Sequence, residues 1–398
     1  MTVNTSRLEK VAPPADAAVS LIRGGPFYRA QLKTRLIRPH QWNIGKRIIF
    51  AVAIGWVPLL LMTALFQPGA VVVLLTDYKV SSRMLIAVPV LLLGQVLMES
   101  RFRTVVTQTR KDLVAPADWP RFDATIVRFI QLRDSILPEF AITVLAFLIV
   151  GDLFTQRTGL SGAWAVQGPQ LSIATHLTPA GLYYGLVSRM IYAFLVGINL
   201  WKWLLWTFFL FRLSRMNLCL MASHPDKHAG AGFLGMSAMA FAPIAFAAAA
   251  AVGASWRYEI LHAGAHIANF KLPAFILLVV VALVALGPLA FFAPKLAALR
   301  RKGILEYGSL AHLHSTEFHE KWILHREGHE AEFLAAPEVS TLTDLASSFQ
   351  NVEDMKPLLL NKGSLVVLIL AVGIPMMPAV TAEITLMVVL KSLLEAMK

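Results

Sequence analysis

Long apolar blocks separated by charged and turn-rich segments dominate the hydrophobic pattern of this 398-residue chain. A helix needs about 20 apolar residues to cross roughly 30 Å of hydrocarbon, and several blocks approach that length. They cover residues 48–66, 84–98, 136–154, 183–206, 233–255, 274–299 and 364–380. The second and seventh are short, which is typical of tilted or re-entrant segments as well as of full spans. The pattern predicts an all-α, polytopic transmembrane helix bundle of about seven spans.

The polar segments divide the chain into regions. These are a basic N-terminal segment (1–46), the first six spans (47–302), a small cytoplasmic helical insertion (303–362), and the seventh span with an amphipathic tail (363–398). The insertion is predicted to hold two helices, the second following Pro337. Apolar positions of the first are Leu310, Leu313, Phe318 and Trp322. Both helices are expected to lay an apolar stripe on the membrane domain or on a cytoplasmic protein partner.

Aromatic residues mark both ends of the fourth span. Tyr183 and Tyr184 stand at its start, and Trp201, Trp203 and Trp206 near its end. Amphipathic rings favour the headgroup level, so these residues are predicted to lie at the two membrane interfaces. The fifth span contains an unbroken alanine run at 247–251, which favours close helix packing and a central place in the bundle.

Composition supports this assignment. Hydrophobic residues make up 57% of the chain and charged residues only 15%, and the mean hydropathy is +0.62. A soluble protein has about a quarter of its residues charged, so the chain is expected to contact membrane lipids. No apolar stretch near the start resembles a cleavable signal peptide, so the first span is expected to direct insertion.

The net charge of +12 also has a membrane explanation. Most of the 36 Lys and Arg residues fall in alternate loops, which orients insertion and makes nucleic acid an unnecessary partner. The bias predicts a cytoplasmic N-terminus, and an odd number of crossings places the C-terminus in the periplasm of a bacterial inner-membrane protein. Association into a homo-oligomer is compatible with this arrangement.

Known cofactor and catalytic motifs are missing from the sequence. Cys219 is the only cysteine, so neither an intrachain disulfide nor a cysteine zinc cage can form. There is no Walker loop, dinucleotide fingerprint, haem attachment sequence or nucleophile elbow. We therefore expect no cofactor and assign no catalytic residue.

The loop between spans four and five is the most distinctive segment. Its polar and glycine positions are His224, Asp226, Lys227, His228, Gly230 and Gly232. Two imidazoles, a carboxylate and an ammonium before a glycine-rich helix start are typical of an anion or lipid-headgroup site. The alternative is structural: Asp226 caps the helix, Pro225 begins its first turn, and the glycines permit tight packing.

This loop, with its His-Pro-Asp and Gly-x-Gly-Phe-Leu-Gly motifs, resembles a family of uncharacterised bacterial multi-pass inner-membrane proteins. The segments 303–311 and 337–345 share the resemblance, which extends over roughly the last half of the chain. It implies a bacterial inner-membrane setting and brings no known activity.

Glu259, His262 and His266 follow the fifth span at spacings of three and four. If the helix continued through them, all three would share one face and form a partial zinc site or a group that responds to protons near neutral pH. The alternative is that they are polar residues of the membrane interface.

Charges inside the spans have local explanations. Arg189 and Lys202 lie near opposite ends of span four and are expected to reach the interfaces, and Glu139 lies in the first turn of span three, where the helix dipole favours an acid. Asp152 and Arg189 form a candidate intramembrane ion pair.

Three functions remain open. Prolines within the spans and the alanine-rich fifth helix favour a channel or passive transporter for a small solute or ion. The insertion at 303–362 favours a non-transporting scaffold or sensor that docks a cytoplasmic partner. The loop at 224–232 favours a membrane-embedded enzyme that acts on lipid headgroups.

Overall fold

The computed structural model describes residues 20, 22–38, 42–155, 163–166, 177–324 and 337–383, and for 151–155 and 337–339 it describes the backbone alone. Predictions that concern the C-terminal tail after 383 lie outside these residues. The helices are α1 (Gly25–Lys33), α2 (Ile44–Phe66), α3 (Val71–Thr76), α4 (Tyr78–Leu113), α5 (Trp119–Asp134), α6 (Ile136–Thr155), α7 (Pro179–Ser214), α8 (Gly232–Ala263), α9 (Ile267–Leu324), α10 (Pro337–Glu353) and α11 (Lys362–Glu383). Within the described residues the only β-type pairs are isolated bridges, so the predicted all-α fold is confirmed.

Six of these helices are long and apolar enough to cross a membrane: α2, α4, α7, α8, α9 and α11. Helix α6 has 20 residues, of which Ile136–Val150 form its apolar part. Each of the seven contains one predicted span, so the polytopic helix bundle was placed correctly from the sequence.

One end of the bundle gathers the ends of α4 and α7 and the starts of α8 and α11. The Cys219 amide donates to Leu113 O at 2.8 Å, and the Ser364 hydroxyl donates to Gly235 O at 3.0 Å. We call this the basic end, because most of the arginines of the predicted cytoplasmic loops lie in the segments that meet there.

Helix α8 lies at the centre of the bundle, as its alanine run predicted. Of the 18 most apolar consecutive residues of α8, 67% are buried, which is the largest share among the six spanning helices. Ala247, Ala249 and Ala250 are at most 2% exposed, and α8 packs most extensively against α11. Small side chains let these backbones come close, which is how helices gain contact when lipid surrounds them.

Trp203 and Trp206, which the sequence predicts to mark an interface, do not face the lipid. Both are buried in the core, where the Trp206 ring stacks on Phe102 with ring centroids 4.0 Å apart. The Trp203 indole donates to Val284 O at 3.0 Å. Tyr184, predicted at the other interface, is fully buried as well. Sequence position cannot tell an interfacial ring from one that a neighbouring helix covers.

Helix α9 extends over 58 residues and includes short 3₁₀ and π segments, so the domain boundary predicted at 302/303 falls inside one helix. The later part of α9 packs against α10, which begins at Pro337 itself and so starts earlier than a helix capped by Ser340 or Thr341 would. The predicted apolar stripe was partly wrong. Trp322 is buried, but Leu310 and Leu313 are 52% and 57% exposed, because Gly303 and Gly308 pack against α10 and turn the leucines aside.

Candidate functional site

Ionisable and amide side chains from four helices meet near the basic end. They are Arg47 of α2, Gln95 and Glu99 of α4, Glu139 of α6 and Lys202 of α7, and we call them the inner polar cluster. Each is at most 8% exposed. Lys202 was expected to reach the interface, and that expectation is wrong: its side chain is 7% exposed within the bundle. Buried charges at membrane depth are costly, and they usually mark a functional site.

Residues 22–27, which we call the N-terminal strap, cover this cluster. Three backbone amides of the strap donate to carboxylates of three helices. The pairs are Ile22 N to Glu99 Oε2 (3.0 Å), Gly25 N to Asp134 Oδ1 (2.9 Å) and Phe27 N to Glu139 Oε2 (2.6 Å). Each bond is between a backbone donor and an acid, so it is charge-assisted whenever the acid is ionised. The strap is thereby fixed to α4, α5 and α6.

Gly25 is required for this fit. Its φ is +86°, in the left-handed region, and a Cβ at this position would collide with Glu139 Oε1. Asp134 lies outside the spans. Burial raises its pKa, but Arg133 and the Gly25 amide lower the pKa by more, so it falls below its ordinary value and the carboxyl is ionised at neutral pH. The strap therefore meets a charged acceptor at its glycine.

A small cavity of about 10 Å³ lies between the strap and the cluster, at the lower limit for one water molecule. Arg47, Gln95, Glu139 and Lys202 all line it. Arg47 Nη2 donates to Gln95 Oε1 at 2.7 Å. Within the described part of the chain, Arg47 Nε and Nη1 and Gln95 Nε2 are buried without an acceptor. The cavity thus offers more donors than acceptors, which suits an anion.

A second cationic level lies further along the same helices. Arg83 of α4 donates to the Tyr184 hydroxyl at 2.9 Å. Arg189 of α7 lies near enough for the two guanidiniums to repel each other, and its buried Nη1 has no acceptor among the described residues. The side chain of Asp152, its predicted partner, lies outside the described residues, so that ion pair stays a prediction.

An apolar layer separates the two levels. Arg83 and Gln95 are 12 positions apart on α4, or about 18 Å along the helix axis. The residues between them, and the matching ones of α7, pack against each other with at most 3% exposure. They are Met84, Ala87, Val88, Leu91, Leu92, Leu195 and Ile198. Within the described residues this apolar layer lies between the two polar levels.

The loop between α7 and α8 brings all of its predicted site residues together. The Asp226 carboxylate accepts from the amides of His228, Gly230 and Gly232 at 2.8 to 3.0 Å and lies 2.9 Å from His224 Nδ1. Lys227 pairs with Asp354 at 2.7 Å. The amides that an anion would need are thus bonded to Asp226, as the structural alternative expects. Binding of a headgroup here stays a prediction.

Replacing Asp226 by alanine is expected to open this loop. Lys227, Ala229 and Gly230 all have positive φ, and the carboxylate holds them in place. We expect trypsin to cleave after Lys227 roughly tenfold faster or more in the variant, since three charge-assisted bonds are lost. Mass spectrometry of the fragment that begins at His228 measures this.

Asp344→Ala, which removes an exposed carboxylate of α10, is the matched control and should cleave like wild type. Burial raises the pKa of Asp226, but the hydrogen bonds from three amides and from His224 lower it by more, so the pKa in the folded state lies below its ordinary value. The stabilisation is then complete near neutrality and is lost only as the pH falls through that lower value. Equal cleavage of the two proteins would mean that the carboxylate does not hold the loop.

Glu259, His262 and His266 do not lie on one helical face. Helix α8 ends at Ala263, and Gly264 follows with φ +66°, so His266 lies beyond the helix that carries Glu259 and His262. His266 Nδ1 instead lies 3.1 Å from Glu383 of α11. No three His, Cys, Asp or Glu side chains among the described residues are placed to share a metal ion. The predicted one-face geometry is wrong, because the glycine ends the helix.

Comparison of the chain with protein-family models, with curated proteins and with solved structures finds no match to any of them.

Proposed function

We propose that this integral membrane protein is a gated passive transporter of small inorganic anions. The observation that carries the proposal is the buried guanidinium of Arg47, whose Nε and Nη1 face no acceptor in the described chain while the group lines a cavity with Lys202. A buried cation with free donors is costly, and an anion between Arg47 and Lys202 would satisfy it in an open state, wider than the cavity of about 10 Å³ in this structure.

The charges around the cavity support an anion rather than a cation. Glu99 already accepts from Ile22 and pairs with Arg103 at 3.0 Å. Glu139 is the one carboxylate that lines the cavity, and its Oε2 accepts from Phe27. Among the described residues that line the cavity itself, two cations, Arg47 and Lys202, therefore face one carboxylate, Glu139, while Glu99 lies behind them with Arg103 as its own partner.

Helix geometry next to the apolar layer supports gating. Both α4 and α7 contain a π-helical segment at the outer cationic level, Ser82–Ala87 and Tyr184–Ser188, beside Arg83 and Arg189. π-Helical turns are rare and are frequent at functional sites, since one extra residue per turn lets a helix shift its register. Paired π segments place a deformable stretch of each helix where the path has to open.

Chloride flux from liposomes tests the proposal. We expect purified protein in liposomes loaded with potassium chloride to release chloride into potassium gluconate when valinomycin carries the counter-current, at a rate above protein-free liposomes. A chloride electrode records the efflux. If chloride, nitrate and phosphate all fail to move faster than through protein-free vesicles, the transport proposal is wrong.

The setting that we propose is the bacterial inner membrane, with the basic end in the cytoplasm, because cationic segments remain on that side during insertion. In this setting α9 extends beyond the bilayer, and Leu305, Leu313 and Leu324 on that extension are 57% to 74% exposed. These leucines favour a second candidate function, the docking of a cytoplasmic protein. Co-purification of a partner that is lost with Leu313→Ser would support it.

A further inference from the structure

A second, larger cavity of about 410 Å³ opens at the basic end, between α9 and the start of α11. Four leucines line it: Leu286, Leu358, Leu360 and Leu365. Lys356 and Lys362 also line it, so one cavity combines an apolar wall with two ammonium groups. Among the described residues, none of those that line it carries a carboxylate.

The segment that forms this wall is held rigidly. Met355 and Leu359 are at most 2% exposed and anchor it to the core, and the Lys356 amide donates to Lys227 O at 2.8 Å. A Cβ on Gly235 would meet Leu359 O at 2.7 Å, so α8 approaches this backbone closely. The residues between the anchors are therefore fixed facing outward, with Leu358 and Leu360 44% and 47% exposed.

The cavity extends from headgroup level into the apolar region. Lys362 is the first residue of the spanning helix α11, whereas Leu286 lies within the part of α9 that the sequence predicts as the sixth span. Exposed leucines beside lysines at this depth match a ligand with an anionic head and an apolar tail. A soluble anion would leave the leucines uncovered, and a neutral lipid would offer no negative charge to either lysine, of which only Lys356 has a carboxylate, Asp354, near enough to interact with it.

We propose that this cavity binds an anionic phospholipid, whose phosphate lies between Lys356 and Lys362 and whose acyl chain lies along the four leucines. The site is separate from the inner polar cluster. A failure to bind lipid would therefore not contradict anion transport, and a failure to transport anions would not contradict lipid binding. The rigid wall means that the site exists before the lipid arrives.

Native mass spectrometry of the full chain in detergent tests the site, with phosphatidylglycerol and phosphatidylcholine of identical acyl chains as probes. We expect wild type to bind phosphatidylglycerol more tightly than phosphatidylcholine. In the double variant Lys356→Gln/Lys362→Gln, phosphatidylglycerol should bind roughly 30-fold more weakly, since each lysine near anionic lipid contributes about 1 kcal/mol. Leu365→Trp should also weaken it by narrowing the apolar wall, although both lysines remain.

The matched control is Lys46→Gln/Lys302→Gln, which removes two exposed lysines outside the cavity with the same change in net charge. It should bind phosphatidylglycerol like wild type. Equal weakening in the control, equal binding of the two lipids by wild type, or competition by glycerol phosphate at the same concentration as the lipid would each overturn the proposal.

Discussion

Replacing Arg47 by methionine is expected to lower chloride efflux from liposomes roughly 10- to 100-fold. Hydrogen bonds from a charged donor contribute about 1.5 to 3 kcal/mol, and the variant removes the donors that we assign to the anion. Methionine is a long apolar side chain, and the substitution removes a buried guanidinium whose Nε and Nη1 have no acceptor among the described residues, which offsets the loss of its bond to Gln95. The folded protein should therefore remain while the flux is lost.

Lys46→Met is the matched control for this experiment. Lys46 is the neighbouring residue on α2 and is exposed, so its replacement changes the charge equally and leaves the cavity intact. Equal flux in Arg47→Met and wild type would contradict the assignment of Arg47 to the anion path. Equal loss in both variants would mean that surface charge alone sets the rate.

Replacing Gly94 by alanine is expected to lower the free energy of unfolding by about 1 to 3 kcal/mol, the usual cost of overpacking. A Cβ on Gly94 would lie 2.5 Å from the Pro243 Cβ of α8, and a proline ring cannot rotate away. Helix α4 and the central helix would have to separate. Thermal unfolding in detergent, followed by circular dichroism, measures the change.

Gly373→Ala is the control for this effect, because Gly373 lies in the spanning helix α11 with nothing within 4 Å of its Cβ position. Alanine is the better helix former by about 1 kcal/mol, so this variant should be as stable as wild type or more stable. A loss of stability equal to that of Gly94→Ala would show that the α4–α8 contact is not the cause.

The bundle was predictable because hydrocarbon imposes one rule along the whole chain. Each span needs an apolar length, and all seven predicted blocks coincide with helices. The central place of α8 followed from its alanine run. The exact burial of each face did not follow, since Leu313 and Trp206 have ordinary apolar patterns and only their neighbours decide that one is exposed and the other buried.

The inner polar cluster was not predictable, because its members are far apart in sequence and each has a local explanation. Glu139 lies where a helix dipole favours an acid, and Lys202 lies within reach of an interface. The sequence around Glu139 does not show that the Phe27 amide donates to its carboxylate. The sequence around Lys202 does not show that this residue lines a cavity with Arg47. A usable signal was present: Arg47, Glu99 and Lys202 are polar residues near the same end of three spans.

The length of helix α9 has a mechanical consequence. Its 58 residues extend for about 87 Å, and a 3₁₀ segment at Gly287–Phe292 separates residues 267–286 from residues 293–324. The outer part, from Ala293 to Leu324, is about 48 Å long. A tilt of about 10° at the 3₁₀ segment would displace its tip by about 8 Å. Helix α9 is thus a lever that turns a small rearrangement among the spans into a large displacement in the aqueous phase.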